Sequence, residues 1–146
     1  MTGTEQVDAN PGDTGSAAAT PKSSAPKTVL SGITRWILIV HAALLAAQPI
    51  LAGAMLDAMS PEPQTMHRMI AMTILSLSIV QVCVVFAAWR GKSAWPKAAF
   101  TGSAVLLALE IAQFTLGHLS LGMSVHIPLG ILVLVIGVFL AFKYAR

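Results

Sequence analysis

Four apolar runs, at 36–56, 69–89, 98–118 and 125–142, decide what this chain can fold into. About 20 residues in a helix rise about 30 Å, the thickness of a bilayer's hydrocarbon core. The fourth run is shorter, and its flanking Lys143 and Tyr144 can serve as interface anchors. No water reaches backbone N–H and C=O groups in hydrocarbon, so each run must satisfy them internally as a helix. The connections, 57–68, 90–97 and 119–124, are short, which sets consecutive helices antiparallel. The expected fold is therefore all-α. It is a polytopic membrane protein with an antiparallel four-helix transmembrane bundle over 34–146, made of two helical hairpins.

Composition agrees with a lipid solvent. Hydrophobic residues make up 55% of the 146-residue chain and charged residues 10%, against about 25% charged in a soluble domain. Residues 1–33 are instead rich in Thr, Ala, Ser, Pro and Gly. They lack hydrophobic periodicity, and the expectation is a disordered cytoplasmic tail. Cys83 is the only cysteine, which excludes an intrachain disulfide.

The net charge of +3 follows topology and does not point to nucleic acid. Lys22, Lys27, Arg35, Arg90, Lys92, Lys97, Lys143 and Arg146 fall on one side of the bundle, and Arg68 alone falls on the other. Positive residues stay inside. This predicts a multi-pass plasma-membrane protein with both termini in the cytoplasm and the segments 57–68 and 119–124 facing outward. The expected partners are the lipid bilayer, a redox or haem-handling membrane protein, and a second copy of the chain.

Two histidines open helices at the outward side. His67 stands in Thr65-Met66-His67-Arg68-Met69, and His126 in Ser124-Val125-His126-Ile127-Pro128-Leu129-Gly130. Upstream of them, Ala47-Gln48-Pro49-Ile50-Leu51-Ala52 and Ala112-Gln113-Phe114-Thr115-Leu116-Gly117 share the pattern A-Q-x-x-L-small. Each pattern is followed by an outer loop and then by a histidine, which suggests a duplicated hairpin. At about 100° per residue, Ile74, Ser78, Gln81 and Val85 share the face of His67. Gly130, Val133 and Gly137 share that of His126. This strip of small residues has two readings: close helix approach, or a hollow for the face of a planar macrocycle.

Two imidazoles at equal depth on diagonal helices suit the two axial positions of a haem iron. Arg68 and His118 lie at the same depth and are candidates for its propionates. Three outer imidazoles would also suit a copper or zinc ion. His41, nearer the cytoplasmic side, and Glu110, near the middle of the third run, are polar groups that lipid penalises. Each is read either as an interhelical hydrogen-bonder or as a functional group. For His41 the function is a second ligand site; for Glu110 it is a proton relay or a contact to a cofactor edge.

These motifs resemble one four-helix half of the haem A synthase family, and also small four-helix membrane proteins of unknown function. The resemblance rests on Gln48-x-x-Leu51-Ala52-Gly53, His67-Arg68, Gln113-x-x-Leu116-Gly117 and Val125-His126, within roughly 34–143. It implies haem ligation by His67 and His126. The family's carboxylate three residues before the first histidine is replaced here by Gln64, with Glu62 displaced by two positions. The family's cysteine pair is absent and only one bundle is present. Independent haem A synthesis is therefore not expected. The expectation is a b-type haem protein for electron transfer or haem handling. The alternatives are an accessory or scaffold protein without cofactor, and a metal-ion site at the outer histidines.

Overall fold

The computed structural model describes Met1, Gly3 and residues 25–58, 60–91, 95–120 and 122–146, with the side chains of the first helix described from Val29 onward. Four helices fill these segments: α1 (Ala25–Asp57), α2 (Glu62–Arg90), α3 (Lys97–His118) and α4 (Met123–Tyr144). Each contains one of the apolar runs, and all four are long and apolar enough to cross a membrane. Helix α1 starts at Ala25, inside the segment expected to be tail. Its early turns have partners there: Thr34 Oγ1 donates to the Leu30 carbonyl at 2.7 Å, and Ser31 Oγ accepts from Trp95 Nε1 at 3.2 Å. The rest of the tail, residues 2 and 4–24, lies outside the described residues.

Local chemistry sets the helix ends. Pro61 precedes α2, Glu62 occupies its first turn and Arg90 its last, both charges matched to the helix dipole. Helix α3 follows Pro96 in extended conformation. Helix α4 follows Gly122, whose φ of +56° is the left-handed conformation glycine adopts without a Cβ penalty. That turn brings His126 into the first turns of α4, its N–H bonded to the Gly122 carbonyl at 2.9 Å.

Each helix touches two others in cyclic order, so that α1 faces α3, and α2 faces α4, across the bundle. Neighbours run in opposite senses. On α3 and α4, positions 117, 113, 106 and 102 meet 126, 130, 137 and 140 in turn. The end with the α1–α2 and α3–α4 connections is here the histidine end. The other, with Arg90, Lys97, Lys143 and Arg146, is the basic end. Trp95 closes the basic end, 6% exposed, with its ring 6.1 Å from that of Tyr144. Leu38, Leu45, Ile74, Val85, Leu106, Val133 and Leu140 form the apolar core. The exterior carries Ile39, Val40, Ile79, Val80, Ile131, Val135 and Phe139, all exposed.

The glycine strip of α4 is filled. A Cβ at Gly130 would lie 2.8 Å from Gln113 Nε2, and one at Gly137 would collide with Leu45. Of the two readings of that strip, close helix approach describes what the packing uses it for.

Candidate functional site

The interior holds two polar layers. The first lies at the histidine end and takes one residue from each helix: Gln48, His67, Gln113 and His126. Gln48 Nε2 donates to the His67 carbonyl at 3.3 Å, and Gln113 Nε2 lies 3.3 Å from His126 Nε2. The two imidazoles come from the diagonal helices α2 and α4. Both are half-buried. His67 Nδ1, His126 Nδ1, Gln48 Oε1 and Gln113 Oε1 are buried atoms without a hydrogen-bond partner. Four such atoms in one layer cost free energy unless something bonds to them. The layer has the chemistry of a ligand site, with imidazole nitrogens and amide oxygens as its donors.

Gly117 makes room for the second imidazole, since a Cβ there would come within 2.8 Å of His126 Cε1. Gly117→Ala should therefore turn the His126 ring. The measurement is the Cε1–H NMR resonance of His126 in detergent, which should move while that of His41 stays in place.

The second layer lies deeper. His41 Nδ1 is 2.7 Å from Gln81 Oε1, Gln81 Nε2 donates to Ser103 Oγ at 3.1 Å, and His41 Nε2 is 2.9 Å from Glu110 Oε1. None of the four residues is more than 4% exposed. The His41–Glu110 approach is that of an ion pair, although its angle is off the line of a straight hydrogen bond. This contact crosses the second diagonal, α1 to α3.

The structure sorts the predicted residues. His67 and His126 lie at the same end of the bundle, each beside a glutamine of a neighbouring helix. Arg68 is exposed and lines a surface hollow with Gln64, Thr65, Met69 and Met72, away from the interior. The cause is its place next to His67, about 100° round the helix. His118 is exposed and stacks on Phe114 of its own helix, with ring centroids 5.8 Å apart. Among the described residues, no three His, Cys, Asp or Glu side chains gather as metal ligands. His41 and Glu110, read separately from the sequence, are the pair that sequence reasoning missed. On the Gln48/Gln113 alignment, His41 corresponds to Leu106 and Glu110 to Leu45. A histidine one turn below a glutamate on the opposite helix was the available signal.

No protein-family model, curated protein or solved structure matches this chain.

Proposed function

We propose that this chain is a small integral membrane protein that binds b-type haem between α2 and α4, with His67 and His126 as axial ligands, for electron transfer or haem handling. The observation that carries this reading is a polar layer holding two imidazoles from diagonal helices, each with a buried Nδ1 lacking a partner. The donor set fits a haem iron. The strip below does not add a slot, because Gln113 and Leu45 occupy it. Gln113 also engages His126 Nε2, so it must release that nitrogen before the nitrogen can serve as a ligand. Bound haem would supply a one-electron couple. The protein would supply the two imidazoles and a layer of polar groups shielded from lipid. The replacement of the family's carboxylate by Gln64 leaves the oxidation of haem O outside the proposal.

Protein purified in mild detergent from haem-replete cells should give a six-coordinate b-type Soret band, with an alpha band on dithionite reduction. A colourless preparation that stays colourless when hemin is added would reject the reading.

The filled glycine strip favours a second reading, an accessory or scaffold protein without cofactor. There the polar layers only join helices. The absence of a third converging ligand among the described residues makes a metal-ion site the weaker alternative.

The proposed setting is the plasma membrane, with the two helical hairpins related by a two-fold axis and both termini cytoplasmic. The basic residues support this orientation. Alkaline phosphatase fused within 90–97 should be inactive, whereas a fusion within 119–124 should be active. The opposite pattern would invert the topology.

A further inference from the structure

We infer that the His41–Glu110 pair is a one-proton binding site that exchanges its proton with the histidine end and is sealed from the basic end. Gln81 fixes the chemistry. Its amide nitrogen donates to Ser103, so its oxygen faces His41 Nδ1, and that nitrogen must carry hydrogen. Only Nε2 is left to face Glu110 Oε1, and one proton between them makes the pair neutral overall. Without that proton the pair carries a net charge of −1. With the amide reversed, Nδ1 accepts from Gln81, Nε2 carries the hydrogen, and the pair is again neutral only when one further proton sits on the Glu110 carboxyl. An uncompensated charge inside the bundle is costly, so in either amide orientation the site holds one proton.

Among the described residues no other buried group offsets this charge. Beside the pair, α2 presents Ser78 and Gln81, α3 presents Ser103, and the buried face of α4 is Val133, Gly137 and Leu140. Among the described residues, His41 and Glu110 are the only buried titratable side chains. His67 and His126 belong to the half-buried layer at the histidine end.

The two directions away from the pair differ. Towards the histidine end, Ser78 Oγ, Glu110 Oε2, Gln113 Oε1 and Gln48 Oε1 are buried without partners. Ser78 lies one turn from Gln81 in that direction, and Gln113 one turn from Glu110. Such atoms are what a buried water needs, since it takes two to four polar contacts. Towards the basic end, Gln81 and Ser103 are bonded to each other. Beyond them come Leu38, Val85, Ala88, Trp95, Ala99 and Leu140, all buried, with the buried Thr34 hydroxyl donating to the Leu30 carbonyl and Trp95 Nε1 to Ser31. A proton therefore meets unpartnered polar atoms on one side, and on the other apolar packing whose few polar groups are already bonded. The exchange consists of a proton adding between Nε2 and Oε1, with no change of oxidation state.

The test is infrared spectroscopy of ¹³C-glutamate-labelled protein inserted in one orientation into liposomes with impermeant buffers. The chain has three glutamates, Glu5, Glu62 and Glu110. The Glu5→Gln/Glu62→Gln variant isolates the Glu110 band without touching the pair, and Glu110→Gln should abolish it. Making the medium alkaline at the histidine-end face should change that band, and doing so at the basic-end face should not. A response from the basic-end face, from both faces or from neither would overturn the inference. The readout is the carboxyl itself, so the result is independent of whether haem binds.

Discussion

Replacing His41 by alanine is expected to destabilise the bundle by about 3–5 kcal/mol, the scale for removing one partner of a buried ion pair. The measurement is reversible unfolding in mixed micelles. The competing expectation is small. Interhelical hydrogen bonds in membranes average about 0.6 kcal/mol, because the separated helices also find partners. The pair should exceed that value because Glu110, 4% exposed, has no second cation to turn to among the buried residues. His41→Ala also strips Gln81 Oε1 of its donor. The double variant His41→Leu/Glu110→Leu removes both charges and refills the volume, so it should recover most of the loss. A single-variant loss near 0.6 kcal/mol would mean that the pair acts as an ordinary neutral hydrogen bond. Additive losses in the double variant would mean that the two side chains do not interact.

The other large effect is on haem. On the proposed haem reading, His67→Ala and His126→Ala should each abolish the six-coordinate b-type spectrum, because each would remove a ligand from a separate helix. Gln113→Leu should act the other way. It removes the amide that holds His126 Nε2 and should speed hemin uptake, with the final spectrum unchanged. Arg68→Ala and His118→Ala should leave the axial spectrum intact, since both side chains are exposed. Loss of the spectrum in His118→Ala but not in His126→Ala would move the ligand to the end of α3.

Much of this fold was legible as pattern. The face counted from His67 names Ile74, Ser78, Gln81 and Val85, and all four are buried on α2. The face counted from His126 names Val133 and Gly137, both buried on α4, with Gly130 half-buried beside them. Periodicity along one helix gives these directly, because angle about the axis depends only on residue number. Register between helices does not follow from periodicity. His41 and Glu110 meet across a diagonal, through long side chains offset by a turn, and counting depth within each run does not pair them. The glycine strip failed for a related reason. Its hollow is real on α4 alone, but Leu45 and Gln113 reach it from other helices. Helix α1 begins before its apolar run because Trp95 supplies a partner for Ser31, a contact between distant parts of the chain. Arg68 and His118 share the depth of the two histidines but not their direction.

The central claim is that the His67–His126 layer is a haem site, and hemin titration of purified protein tests it most directly. The account predicts saturation at one hemin per chain with a low-spin, six-coordinate spectrum, and no such saturation in His67→Ala/His126→Ala. Binding that never saturates, or a double variant indistinguishable from the parent, would contradict it.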